Sequence, residues 1–407
     1  MTNITPFAQK TTLSEPRDFT PRWFKAKKYD VDTYGRIISP DGFIETQESA
    51  FDTFSLDLHE QIRAYNSKLE PEEIKSGFLI KRMPENTLLK SAFREYIANE
   101  SKTKRKVITN NIKYNAEDDA VEKNLHLMDY VFAITGTRDI VIATVLAHWL
   151  WGIKVKALGK AIVYHLLPVI YSAKQEIGKS TAAKKLFQPL REISVNKRVN
   201  DLCDVREHLS IATSLVCFFD EMSGASRSEV EQLKNFITAD EVDVRILGTN
   251  SNVKKFQSCS FIGTSNKPIT EMVIDSGMRR FFQIDAQDKL EWDVINNIDY
   301  VELWRNINEN RPQGYILEQK AAISDAQKQL ETEDYIKTFI DDNGYTPGDN
   351  FTPSKTIYDK YVEYCVENGI KSPLNIVWFM RKLRPLGFKL KTKKCEQNKI
   401  IRGIMVG

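Results

Sequence analysis

This 407-residue chain holds little that could build a covalent or metal framework. Its five cysteines, Cys203, Cys217, Cys259, Cys365 and Cys395, are odd in number, widely spaced and never arranged Cys-x-x-Cys. That argues against a disulfide framework and a zinc site and fits a reducing cytoplasm. No basic-apolar segment opens the chain, and the longest apolar run, Ile140 to Ile153, includes Thr144 and His148 and falls short of bilayer length. It reads as a buried helix with His148 as a core histidine, so no membrane partner is expected. A strong net charge is also missing: the formal balance is only +3. The distribution is uneven, however. Between Lys371 and Arg402 ten Lys or Arg residues face the single acid Glu396, so the remainder carries six net negative charges. With 42% hydrophobic residues the chain is no disordered protein, and its length allows two or three domains.

What is present is a phosphate-binding loop. Residues 172–181 read Ser172-Ala173-Lys174-Gln175-Glu176-Ile177-Gly178-Lys179-Ser180-Thr181, between an apolar run (Ala161 to Tyr171) and a segment patterned as a helix. In Gly-x-x-x-x-Gly-Lys-Ser/Thr, backbone N–H groups wrap the phosphates, the lysine reaches the β- and γ-phosphates and the hydroxyl ligates magnesium. Gly178, Lys179 and Ser180 match, whereas Ala173 stands where the first glycine would be. Because alanine tolerates most turn conformations other than positive φ, binding is expected to survive.

Further pieces follow in order. Ser214 to Phe219 is an apolar run ending in Asp220-Glu221, as expected of a buried strand delivering two carboxylates to its C-terminal edge. Asp220, with Ser180, would hold magnesium and its water shell, and Glu221 would polarise the attacking water. Cys259 to Gly263 ends in Thr264-Ser265-Asn266, where Asn266 could orient that water or sense the γ-phosphate. Gly277-Met278-Arg279-Arg280-Phe281-Phe282 places two guanidinium groups before an apolar strand, the arrangement of an arginine finger crossing a subunit boundary. Each piece has a bland reading. Asp-Glu can start a helix, Ser-Asn-Lys-Pro is ordinary turn chemistry and two arginines can be surface charges. Order and spacing lift them, since Lys179, Asp220, Asn266 and Arg279 all sit at the ends of apolar runs.

On these residues, Ser172 to Ala286 resembles the superfamily 3 helicase ATPases of phages, plasmids and mobile islands, most closely the virulence-associated E group. Three stretches carry the likeness: Gln175 to Thr181; Glu229 to Thr238 with Arg245; and Phe261 to Asn266 leading to Gly277-Met278-Arg279-Arg280-Phe281. The resemblance implies an α/β fold with an AAA+ P-loop core, ATP with magnesium, a homo-oligomeric ring that is usually a hexamer, and translocation along DNA.

Between the carboxylates and Asn266, Ser226-x-x-Glu229 has capping-box spacing, with Val230, Leu233 and Ile237 on one helical face. Val242 to Leu247 alternates, Gly248 to Asn252 supplies turn residues and Val253-Lys254-Lys255-Phe256 returns, which is a β-hairpin pattern. In superfamily 3 rings a hairpin in this position enters the central channel, which makes Lys254 and Lys255 the candidate contacts to the phosphate backbone. A solvated hairpin that protects a sheet edge is the alternative. Lys234 and Arg245 are equally open to a role at the nucleotide.

The basic C-terminal region 332–407 reads as two helices and a β-hairpin. Thr352 or Ser354 caps the first helix, which carries Ile357, Tyr361 and Cys365; Ser372-Pro373 opens the second, with Ile376, Phe379, Met380 and Leu383. Phe388 to Leu390 and Ile400 to Ile404 read as strands. That is a winged-helix plan, with Arg381 and Lys382 on the helix and Lys391, Lys393 and Lys394 on the wing as DNA contacts; a solvated basic surface is the alternative. At the other end, residues 1–28 read as a flexible arm with Pro6, Pro16 and Pro21, and 29–135 as a mainly helical collar, with 136–325 as the ATPase domain. The N-terminal region has no clear acidic metal triad, so no primase is expected.

Two readings follow. One is an ATP-dependent helicase or translocase of a phage or mobile element, acting in replication on single-stranded or forked DNA in the cytoplasm. The other is an origin-binding or regulatory AAA+ ATPase that holds DNA without unwinding it. A guanine-nucleotide switch is disfavoured, because Asn266-Lys267-Pro268-Ile269 lacks the aspartate that would read guanine.

Overall fold

The computed structural model describes residues 16–72, 84–245, 252–272, 278–368, 373, 376, 379–380, 383, 386–394 and 400–407. The chain forms two compact units, one running to Ile112 and taking in Pro189–Ile193, the other made of Lys113–Gln188 and Ser194–Gly407.

The first unit holds helices α1 (Pro16–Lys27), α2 (Gln47–Asn66) and α3 (Asn86–Asn111), with a small antiparallel meander of β1 (Asp30–Val31), β2 (Ile37–Ile38) and β3 (Ile44–Glu45). Thr46 caps α2 by accepting from the Ser49 N–H, and Ala50, Phe51, Phe54, Leu58 and Ile62 then recur on its buried face. Over 16–27 helix α1 corrects the expectation of a flexible arm for 1–28. Phe19, Trp23 and Phe24 fall on one face and are buried against Phe54 and Phe93, and the Trp23 indole donates to Asp57 at 2.8 Å. Burial of three aromatic rings outweighs the hydrogen bond lost at Pro21.

The second unit is built on a five-stranded parallel sheet in the order β10-β4-β9-β6-β5, so the chain is a mixed α/β protein. These strands are β4 (Leu167–Tyr171), β5 (Ser194–Lys197), β6 (Val216–Phe219), β9 (Ser260–Ser265) and β10 (Phe281–Asp285). Every residue of β6 and β9 is buried, the near-continuous apolar reading expected of parallel strands covered on both faces. Helices α4 (Leu125–Thr135) and α5 (Ile140–Ala157) precede the sheet. Helix α5 is long and apolar enough to cross a membrane, yet most of it is buried in this fold, where the Trp149 indole donates to the Phe261 carbonyl at 2.8 Å. His148 within it is only half satisfied. One ring nitrogen meets the Tyr164 carbonyl at 2.9 Å, while Nδ1 has no hydrogen-bond partner among the described residues.

Helix α6 (Lys179–Leu186) follows β4, and α7 (Val205–Thr213) precedes β6. Helix α8 (Arg227–Thr238) has both halves of the Ser226–Glu229 capping box. The hairpin arms are β7 (Glu241–Arg245) and β8 (Asn252–Phe256), so Asn252 opens a strand instead of closing a turn. Residues 246–251, which hold the end of the expected first strand and the expected turn from Gly248 up to Ser251, lie outside the described residues.

Short helices α9 (Trp292–Asn297) and α10 (Tyr300–Arg305) lead to α11 (Lys320–Asp342), which runs through 326–331, the stretch between the two expected domains. Beyond it, α12 (Ser354–Glu367) packs Ile357, Tyr361 and Cys365 against Phe379, Leu383 and Phe388. Neither Thr352 nor Ser354 caps α12. Its N-cap is Pro353, without a side-chain bond, because Thr352 lies within a strand. That strand, β11 (Pro347–Pro353), joins β12 (Leu390–Lys394) and β13 (Ile400–Val406) in a three-stranded sheet with β13 central. Of the expected second helix, Ile376, Phe379 and Met380 are described as helical and Pro373 as outside regular structure, whereas Ser372 lies outside the described residues.

Candidate functional site

Parallel pairing puts the ends of three strands at one sheet edge. Tyr171 of β4 lies opposite Ser265 of β9, and Gly263 of β9 opposite Phe219 of β6. The phosphate loop, Asn266 and Asp220-Glu221 therefore meet at that edge, the usual place for a ligand in an open α/β sheet.

Within the loop, Gly178 has φ +92° and Glu176 φ +61°, while Ala173 stays outside the left-handed region. The missing glycine thus costs this loop no backbone strain. Gly178 is constrained a second time, since a Cβ there would lie 2.2 Å from Cζ2 of Trp292. Of the three described non-glycine residues with positive φ, Glu176 and Glu221 both stand at this edge, so backbone strain concentrates where the polar groups meet.

Lys179 opens α6 and is buried. Its ammonium donates to the carbonyls of Ser172 (3.0 Å) and Lys174 (2.9 Å) and to Oδ1 of Asn266 (2.6 Å). All three protons are thereby committed to neutral oxygens. Burial lowers its pKa, and the Glu221 charge opposes that shift. The Asn266 amide nitrogen donates in turn to Oε2 of Glu221, and its backbone N–H lies 3.3 Å from Oε1. Lys179, Asn266 and Glu221 so form one hydrogen-bonded chain. The Ser180 hydroxyl donates to Asp220 Oδ1 at 2.5 Å. A hydroxyl beside an exposed carboxylate suits a hard divalent cation that takes its other oxygens from phosphates and water. No cluster of three or more His, Cys, Asp or Glu side chains suited to a metal occurs among the described residues.

Four neighbours were not legible as site residues. Thr264 links the carboxylates: its hydroxyl lies 3.4 Å from Asp220 Oδ1 and accepts the Glu221 N–H at 3.1 Å. Ser172 anchors the loop, accepting the Lys174 N–H at 3.2 Å through its hydroxyl. The Lys184 ammonium stands 3.7 Å from Asp220, an exposed pair of small worth. Trp292 is the fourth. Thr264 and Ser172 flank Asn266 and the loop in sequence, a signal that could have found them; Trp292 offers none.

The other expected residues lie elsewhere. Arg279 and Arg280 form a turn before β10, whose first residue pairs with Leu167 and whose last, Asp285, pairs with Tyr171. They stand at the edge opposite the phosphate loop, about 13 Å away along the strand. Gln327 of α11 holds that turn by donating to the carbonyls of Phe281 (2.7 Å) and Met278 (3.4 Å). Lys234 is buried and pairs with Glu231 at 2.6 Å, and Arg245 is exposed at the end of β7. Neither is hydrogen-bonded or ion-paired to the loop among the described residues. Lys254 and Lys255 are exposed on β8, Lys254 directly opposite Asp243 and Lys255 opposite Val242. Lys391 and Lys393 are exposed on the edge strand β12, which also contains Lys394. Arg381 and Lys382 lie outside the described residues.

Comparison with known proteins adds the following. Similar solved structures include the apo C-terminal region of NrS-1, 15% identical, covering 97% of this chain and 100% of that one with a TM-score of 0.43. JCV helicase is 14% identical, with 79% of this chain and 92% of that one covered and a TM-score of 0.32. At these scores neither likeness carries weight for fold or activity. A search of curated proteins finds no match. The sequence model of the virulence-associated protein E-like domain matches residues 116–335, which include the whole parallel sheet and every residue of the phosphate-edge cluster. That span is more than half of the chain, and the chain belongs to the virulence-associated protein E-like domain family.

Proposed function

We propose that this chain is an ATP-dependent DNA helicase or translocase of a phage or mobile genetic element, with an AAA+ core at 136–325, acting in replication in the cytoplasm. The observation that carries the reading is the hydrogen-bonded chain Lys179–Asn266–Glu221 beside the Ser180–Asp220 pair, all at the phosphate-loop edge. Lys179 binds the β- and γ-phosphates, because an anionic oxygen is a stronger acceptor than the neutral oxygens it now holds. Ser180 and Asp220 hold magnesium, which when bound neutralises phosphate charge. Once Lys179 turns to phosphate, Asn266 is free to orient the water from which Glu221 takes a proton.

Arg279 and Arg280 are too far from their own loop to serve it, which supports a finger supplied by the next subunit of a homo-oligomeric, hexameric ring. Lys254 and Lys255 on the hairpin contact single-stranded or forked DNA. The three-stranded sheet with α12 supports the winged-helix reading of 332–407, in which Lys391, Lys393 and Lys394 meet phosphates. Helices α2 and α3 of the first unit form part of the collar assigned to 29–135.

Strand displacement on a forked duplex with ATP and magnesium tests the motor. Lys179→Ala is expected to abolish nucleotide binding and unwinding. Glu221→Gln keeps binding but slows hydrolysis about a hundredfold or more. Displacement unaffected by either change overturns the proposal, and DNA-stimulated hydrolysis without displacement favours the regulatory, DNA-holding ATPase instead.

A further inference from the structure

The groups at the phosphate-loop edge account for phosphates, metal and water, and none of them recognises the rest of a nucleotide. We propose that Trp292 is the platform on which the base of the bound nucleoside triphosphate stacks. The inference rests on the nucleotide-binding reading above and extends it to the base.

Position comes first. Strand β10 ends beside β4, with Asp285 opposite Tyr171 and the Ala286 N–H donating to the Tyr171 carbonyl at 2.7 Å. The chain leaving β10 therefore runs next to the chain leaving β4, which is the phosphate loop. Two further bonds fix its course. The Gln287 N–H donates to Ile134 (2.9 Å) and the Glu291 N–H to Ala133 (3.1 Å), both carbonyls of α4, so Trp292 enters at a set position.

Orientation comes second. From a Cβ built on Gly178, the indole atoms lie at 2.2 Å (Cζ2), 3.1 Å (Cη2) and 3.2 Å (Cε2). The two carbons flanking Cζ2 are nearly equidistant and each about an ångström farther, the pattern of an approach in the ring plane along the Cζ2–H bond. An approach over the ring face would bring all three much closer to equality. Trp292 thus touches the loop by its edge, and its faces point elsewhere.

Third, the indole is unspent. Trp23, Trp149, Trp151 and Trp304 each donate the ring N–H to a protein oxygen. Trp292 is only half-buried, and among the described residues it has neither a hydrogen bond to its indole nitrogen nor an aromatic partner. A rigid, partly exposed aromatic face held at the rim of a phosphate site has the chemistry to stack a nucleobase. Every base has a π-face, so this contact secures the base without separating adenine from guanine.

The test measures affinity of the full chain, with magnesium, for ATP, GTP and inorganic tripolyphosphate. Trp292→Ala is expected to weaken ATP and GTP alike by about tenfold or more while moving tripolyphosphate less than about twofold. Trp292→Phe, which keeps a ring, restores ATP to within about threefold of wild type. Unchanged ATP affinity in Trp292→Ala overturns the proposal. So does a parallel loss of ATP and tripolyphosphate, because the indole would then only prop the loop. If Lys179→Ala binds both ligands as wild type does, the nucleotide reading itself has failed, and the stack with it.

Discussion

Gly178→Ala probes the loop geometry most sharply, because two separate costs meet at one atom. Gly178 sits at φ +92°, ψ +17°, a conformation that costs an L-residue roughly 1–2 kcal/mol. The new methyl would also lie 2.2 Å from Cζ2 of Trp292, well inside ordinary contact. Relieving that overlap by moving the indole or the loop costs about 1–3 kcal/mol, as over-packing does elsewhere. Together these amount to about 2–5 kcal/mol, or a loss of roughly thirty- to several-thousandfold in nucleotide affinity if the whole cost falls on the loop. A double-mutant cycle with Trp292→Ala, read by calorimetric titration of magnesium-ATP, separates them. Without the indole the overlap vanishes and only the backbone strain remains, so the two changes together should lose less than the product of their separate effects. Strictly multiplicative losses would show that the methyl never meets the indole. Wild-type affinity in Gly178→Ala would refute the loop conformation as well.

Two other outcomes are expected. Burial holds His148 and His165 at about 4, below the ordinary 6.5, with the Lys156 charge adding to the effect at His165. Between those values the unfolded chain binds protons that the native chain excludes, so stability falls as pH drops from about 6.5 towards 4, by up to about 1.4 kcal/mol per pH unit for each histidine. Urea midpoints should decline over that range and less steeply in His148→Gln; equal slopes would count against buried, neutral His148. Secondly, Lys179→Ala protein mixed with Arg279→Ala/Arg280→Ala protein should recover ATPase activity that neither has alone. In a randomly mixed ring about one interface in four joins an intact loop to an intact arginine turn; no recovery would place the finger in its own subunit or nowhere.

The phosphate-edge cluster was legible because parallel strands covered on both faces read as apolar runs, and the residue ending each run reaches the edge. Lys179, Asp220 and Asn266 were found in that way, and the register of β4, β6 and β9 brings them together. Capping was legible at Ser226–Glu229, where side chain and backbone answer each other within one turn. Helix α1 was not. Pro6, Pro16 and Pro21 suggested a flexible arm, while over 16–27 the burial of Phe19, Trp23 and Phe24 decided the matter through tertiary contacts. Strand β11 was missed for a similar reason. Pro347-Gly348-Asp349-Asn350 looks like turn chemistry, but an edge strand tolerates proline, and a register shift falls between Pro347 and Asn350. Trp292 lies beyond the reach of local pattern altogether, since only the β4–β10 pairing carries it to Gly178.

The parallel sheet also constrains how copies of the proposed motor can meet. Strand β9 begins just after the return arm of the hairpin, and β10 begins just after Arg279 and Arg280. Both strands run in the same sense as β4, so hairpin and arginines enter the sheet at one edge while the phosphate loop leaves it at the other. An arginine that acts on a neighbour's phosphate must therefore bring one copy's entry edge to the other copy's exit edge. Such a contact joins two different surfaces, and a heterologous contact of that kind closes into a ring where its rotation permits. In the proposed head-to-tail arrangement the arginines and the hairpin of one subunit stand at the same edge, the one turned towards the neighbour's nucleotide. On that proposed arrangement, loss of the γ-phosphate contact would be felt at the same edge at which the hairpin bearing Lys254 and Lys255 joins the sheet.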